Sequence, residues 1–103
     1  MKKNYILCSA IWVNDFKIYD HQPKNIESGI VVCGQGHHNC FVILAQTNIS
    51  YKEHKKIQGF LTADNRFVDR KEAGDIAFKS GQIDKKTDKL YSEDLFKDFK
   101  RWE

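Results

Sequence analysis

The sequence is short of the residues that would mark several protein classes. It has a single proline, six glycines and three cysteines in 103 residues. So little proline and glycine, beside thirteen aromatic side chains and an apolar fraction of 41%, excludes a collagen-like, linker-like or disordered chain. An odd number of cysteines, Cys8, Cys33 and Cys40, two of them inside apolar runs, argues against a disulfide framework. They read as reduced thiols packed as small hydrophobes in a cytosolic protein. No apolar stretch approaches the roughly 20 residues that span a bilayer, so no membrane partner is expected. Met1-Lys2-Lys3 precedes an apolar run without a small-residue cleavage site, so no signal peptide is expected. A surplus of one charge sign is missing too. Seventeen Lys and Arg against 14 acidic residues leave a net charge of +3, too little for a duplex nucleic acid partner.

What is present suits one small α+β domain over residues 1–103, an antiparallel β-sheet packed by two or three helices. Tyr5 to Val13 (YILCSAIWV) is rich in strand formers. The Asn14-Asp15 turn and the alternating Phe16 to Tyr19 then predict a β-hairpin. Asp20 to Ser28 is a polar loop around Pro23, and Ile30 to Cys33 is a β-branched strand ended by Gly34-Gln35-Gly36. The spacing of Phe41, Leu44 and Ala45 predicts a helix from His38 or Asn39 to about Asn48. Tyr51 to Lys56 reads as a charged connector. Gly59 to Thr62 and Arg66 to Val68 flank a tight turn at Ala63-Asp64-Asn65. Asp69 with Glu72 three residues on marks a helix start, and Gly81 its end. From Ser92, as N-cap, Leu95, Phe96, Phe99 and Trp102 recur at helical spacing.

The densest polar cluster runs from Cys33 to Cys40, CGQGHHNC. Thiolate and imidazole are zinc ligands, but adjacent His37 and His38 diverge and no C-x-x-C pair is present, so no metal and no cofactor are expected. A cysteine-histidine hydrolase would need an orienting group and an oxyanion site that nothing here identifies, so no catalytic residue is assigned. Glycines before a helix start instead leave backbone N–H groups free for a small anion, with His37, His38 and Asn39 adding donors. The alternative is a plain strand-to-helix turn. Neither a Walker A lysine nor G-x-G-x-x-G follows. Arg66 and Arg70 stand out in a lysine-heavy chain, because guanidinium grips phosphate bidentately and stacks on rings. With Phe60, Asn65 and Phe67 they are materials for holding a nucleobase and its phosphates, or else core rings and surface pairs.

GFLTADNRFVDRKEAGDIAFKSGQI (Gly59 to Ile83) and LYSEDLF (Leu90 to Phe96) resemble a family of small phage and prophage proteins. The SAI of Ser9 to Ile11 and the GHH-x-C of Gly36 to Cys40 are similar to it as well. Through that family the chain resembles the Thoeris anti-defence proteins. These evade immunity as sponges for cyclic ADP-ribose-type signals, and in some cases cyclic oligonucleotides, without cleaving them. The resemblance implies a nucleotide-binding, non-enzymatic protein of the host cytosol, a homodimer or higher homo-oligomer with pockets between protomers. It implies ligand contacts at Phe60, Asn65, Arg66, Phe67 and Arg70, with Tyr91, Ser92, Glu93 and Asp94 as the pocket's second side. The chain departs from the pattern at Gly34-Gln35-Gly36, where an arginine often precedes the histidines, and in the polar stretch His21 to Ser28. An alternative is an inhibitor or adaptor that binds a host protein directly through the apolar face of the last helix.

Overall fold

The computed structural model describes residues 4–47 and 54–95. Four strands form one antiparallel sheet in the order β2-β1-β3-β4, with β1 Ile6–Val13, β2 Ile30–Gly34, β3 Lys56–Thr62 and β4 Phe67–Asp69. The helices are α1 His37–Ala45, α2 Arg70–Ser80 and the single turn α3 Ser92–Leu95. The architecture is the α+β class the sequence implies.

Alternation along the strands decides which face is covered. Ile11 and Val13 point to one side of β1 and pack with Val32 of β2 against Cys40 and Leu44 of α1. Phe60 lies opposite Ser9 in the register and Val68 opposite Phe60, so all three share that side. There Phe60 and Val68 meet Ala73 and Ala77 of α2, with Ile6 and Leu90. Both long helices therefore lie on one face of the sheet, each over its own apolar cluster.

The other face carries Trp12, whose ring meets Phe67 at 6.2 Å between centroids and whose indole N–H donates to the Ser28 carbonyl at 3.0 Å. Residues 20–28 form a strap that reaches both sheet edges. Gln22 accepts from the Val31 N–H at 2.8 Å on β2. Asn25 accepts from the Phe67 N–H at 2.9 Å and donates to the Phe67 carbonyl at 2.7 Å on β4. Strand edges left open invite foreign pairing, and these amides occupy part of both.

The expected hairpin through Phe16 to Tyr19 does not form. Asn14 Oδ1 accepts from the Phe16 N–H at 2.9 Å and Asp15 Oδ1 from the Lys17 N–H at 3.0 Å. These local bonds turn the chain off before it can pair, with Phe16 in the left-handed region at φ 65. The strand that pairs with β1 on this side is β2.

α2 matches expectation. The Asp69 carboxylate accepts from the Glu72 N–H at 2.8 Å, and Gly81 ends the helix at φ 83. α1 starts at His37, one or two residues earlier than expected, and ends at Ala45, short of the expected Asn48, with Gly36 as N-cap and the Asn39 side chain accepting from the Gly36 N–H at 3.0 Å. Glycine has no side chain, so only this half of a capping box exists. Ser92 is the first residue of α3 and not its cap; Asp94 accepts from the Tyr91 N–H at 2.9 Å and closes that turn. Asn48, Tyr51, Phe96, Phe99 and Trp102 lie outside the described residues. Among the described residues no helix is long and apolar enough to cross a membrane.

Candidate functional site

The N-terminus of α1, the helix-covered face of β3, the first turn of α2 and α3 converge on a cleft of about 410 Å³. Its walls carry Gln35, His37 and His38 on one side, Arg70 and Gln58 on another, and Tyr91, Ser92 and Glu93 on the third. The volume falls within the roughly 300–1,000 Å³ typical of small-molecule sites. A larger, more open groove of about 700 Å³ lies between α2 and residues 86–88, but acidic Glu72, Asp75 and Asp88 interleave with Lys71 and Lys86 there. Those alternating charges do not select one ligand sign.

Arg70 is the most constrained cation of the cleft. As the first residue of α2 it is held by the Asp69 cap and projects toward β3 and α3. Nη1 donates to the Leu90 carbonyl at 2.6 Å and Nη2 to Gln58 Oε1 at 2.6 Å. The guanidinium lies over the Tyr91 ring, 4.8 Å from its centroid. Among the described residues it forms no ion pair. Its charge is therefore positioned by neutral partners and left available, with three further N–H donors.

His37 forms the inner wall. Its Nε2 is 2.8 Å from the Gly59 carbonyl, its Nδ1 is 3.1 Å from Ser92 Oγ, and its ring stands edge-on to Phe60 at 5.2 Å. A carbonyl accepts, so Nε2 carries a proton. Burial holds the imidazole below the usual histidine range; the Gly59 hydrogen bond opposes this, Arg70 adds to it, and Glu93 opposes it. Ser92 is 5% exposed and its Oγ lies 2.5 Å from Ser9 Oγ, which donates to the Gln35 carbonyl at 3.0 Å. The N–H groups of His37 and His38 have no partner among the described residues and open the helix toward the cleft.

The structure thus brings together His37, His38, Arg70, Tyr91, Ser92 and Glu93, and separates them from the hairpin residues expected to join them. Phe60 is fully buried, forming the floor beneath His37, with no ring face free for a ligand. Phe67 is 7% exposed and packs on Trp12, on the opposite face of the sheet. Arg66 is neutralised by Asp64 at 3.3 Å and Glu72 at 2.7 Å. Asn65 is a turn residue at φ 63, and the Asp94 carboxylate serves the Tyr91 N–H. The reason is period: Phe60 and Phe67 are core positions of paired strands, and the three residues of β4 separate Arg66 from Arg70.

Three contributors escaped the sequence reading. Gln58 gives no signal, as one polar residue on a half-exposed strand. Ser9 did leave a trace, because a hydroxyl inside YILCSAIWV must find a buried partner. Gln35 enters through its carbonyl, which composition cannot reveal. Thiol chemistry at Cys40 has no support in the geometry. Cys40 is fully buried, bonds to the Ser9 and Gly36 carbonyls, and burial pushes its thiol up to about 11, away from thiolate. Among the described residues no group of three His, Cys, Asp or Glu is placed to hold a metal.

No curated protein and no solved structure matches the chain. A family model described as Phage T4 y16D protein matches residues 5–96, which takes in every described element. The chain belongs to the phage T4 y16D protein family.

Proposed function

We propose that this phage-family protein binds a cyclic nucleotide or cyclic ADP-ribose-type immune signal in the α1–Arg70–Tyr91 cleft and sequesters it uncleaved, as an anti-defence sponge. The single observation that carries this reading is Arg70: a guanidinium without a carboxylate partner among the described residues, fixed over an aromatic ring beside a helix N-terminus. Guanidinium and backbone N–H groups suit phosphate, and the half-exposed Tyr91 ring offers a face for a base or ribose. A cleft of about 410 Å³ holds one nucleoside-phosphate unit, so a larger cyclic signal would draw on the same cleft of a second protomer. Association into a homodimer or higher oligomer is supported by exposed Phe16, Ile18, Val42 and Ile43. The protein would act in the host cytosol, where such signals are made.

The test is calorimetric titration of purified protein with cyclic ADP-ribose isomers and cyclic di- and trinucleotides, followed by denaturation and analysis of the released ligand. Tight binding with intact ligand recovered is the expected result. Silence toward the whole panel ends the reading. Recovery of cleaved ligand replaces it with a hydrolytic one, in which Ser92 beside His37 would be the nucleophile.

A further inference from the structure

The polar groups behind the cleft do not have enough protons. Four contacts form a line: His37 Nε2 to the Gly59 carbonyl, His37 Nδ1 to Ser92 Oγ, Ser92 Oγ to Ser9 Oγ, and Ser9 Oγ to the Gln35 carbonyl. Each contact needs one proton. The two ends are carbonyls that only accept, so both outermost protons point outward when every contact is made. A neutral imidazole and two hydroxyls supply three protons, which leaves one of the four contacts as two facing lone pairs. An imidazolium supplies the fourth. Then Nε2–H donates to Gly59, Nδ1–H to Ser92, Ser92 to Ser9 and Ser9 to Gln35, each group used once.

We infer that this chain is one proton short while His37 is neutral and complete when His37 is imidazolium, so that a phosphate-bearing anion entering the cleft takes up a proton at His37. The second half of this inference rests on the binding reading above; the first half does not. The groups that face the ring decide the direction. Arg70 from α2 repels the added proton, Glu93 from α3 attracts it, and β3 and β1 contribute only the neutral Gly59 carbonyl and Ser9. On α1 itself the neighbours are His38, which is exposed, and the protonated thiol of Cys40. In the empty cleft burial and Arg70 prevail, and the ring stays neutral near pH 7. An anion bound to Arg70 cancels that repulsion and adds attraction of its own. The missing proton then enters and the chain closes.

Ser9 does not touch His37, so it is a positioning residue whose influence can pass only through Ser92. In Ser9→Ala the neutral state becomes satisfied, because the Ser92 proton is free for Nδ1. The imidazolium state meanwhile loses the acceptor for that same proton. One hydrogen bond of about 1 kcal/mol corresponds to about 0.7 pH unit. The experiment is a ¹⁵N and ¹H NMR titration of the His37 ring in the wild type, Ser9→Ala and Ser92→Ala, with and without inorganic pyrophosphate. The His37 midpoint should fall by about 0.7 pH unit in Ser9→Ala and fall likewise in Ser92→Ala, with pyrophosphate raising it in the wild type. Either folded serine variant suffices for the chain: an unmoved midpoint overturns it. If pyrophosphate shifts the cleft amides but leaves the midpoint where it was, the proton coupling is wrong. If pyrophosphate shifts no cleft amide, the binding reading fails, while the serine variants still decide the chain.

Discussion

Replacing Arg70 by methionine keeps the apolar stem of the side chain and removes the guanidinium fork. The fork joins three elements: α2 carries it, β3 offers Gln58 and the segment before α3 offers the Leu90 carbonyl. Hydrogen bonds from a charged donor contribute about 1.5–3 kcal/mol each when buried. Arg70 is half-buried and Gln58 is exposed, so the pair together is worth about 2 kcal/mol after solvent competition. The guanidinium over Tyr91 adds about 0.5 kcal/mol. For a domain of this size a loss of about 2.5 kcal/mol lowers the melting temperature by roughly 10 °C or more. Nucleotide affinity should fall about thirtyfold or further, the equivalent of about 2 kcal/mol. Arg66→Met is the matched control. Its partners Asp64 and Glu72 form exposed pairs worth about 0–1 kcal/mol, and it lines no part of the cleft. Differential scanning fluorimetry and calorimetric titration of both variants read the two effects. If Arg66→Met loses as much as Arg70→Met, or Arg70→Met loses nothing, the assignment of the site to this cleft is wrong.

Other substitutions probe the frame that holds the cleft. Gly74→Ala should destabilise the protein by about 1–3 kcal/mol in chemical denaturation, because the new Cβ would lie 2.3 Å from the Thr87 carbonyl, on the segment leading to Tyr91. Asn25→Ala removes both amide bonds to Phe67 and should cost about 1–3 kcal/mol while leaving ligand affinity unchanged. Acid should weaken the fold from about pH 6.5 downward, ahead of carboxylate titration. His37 in the native state lies below that unfolded value, so the unfolded chain takes up a proton first and stability is lost as pH falls. Melting curves between pH 7.5 and 5.5 should show this slope, and His37→Gln should flatten it.

How much of this was legible in the sequence follows from the range of the forces involved. The Asp69 cap, the Gly81 terminus and the hairpin turn depend on neighbours within four residues, and they were readable. Phe16 to Tyr19 misled because alternation signals a strand, yet Asn14 and Asp15 carry side chains that compete for the same backbone N–H groups. The cleft was half legible. Helix-start residues His37 and His38 and the Tyr91 to Glu93 turn are local signals, and Arg70 was conspicuous by its scarcity. What assembles them is the pairing of β1 with β3 and the return of the chain through Leu90, contacts between residues far apart in sequence. That pairing also hides Phe60 and Phe67, which no local pattern could separate from ligand-facing aromatics.

The most direct measurement is an amide and arginine-side-chain NMR map of the protein titrated with a cyclic ADP-ribose isomer or a cyclic dinucleotide. Shifts should concentrate at the backbone N–H groups of His37 and His38, the Arg70 guanidinium and Tyr91. Shifts confined to the Asn65–Phe67 hairpin or to the groove beside Lys71 and Lys86 would contradict it.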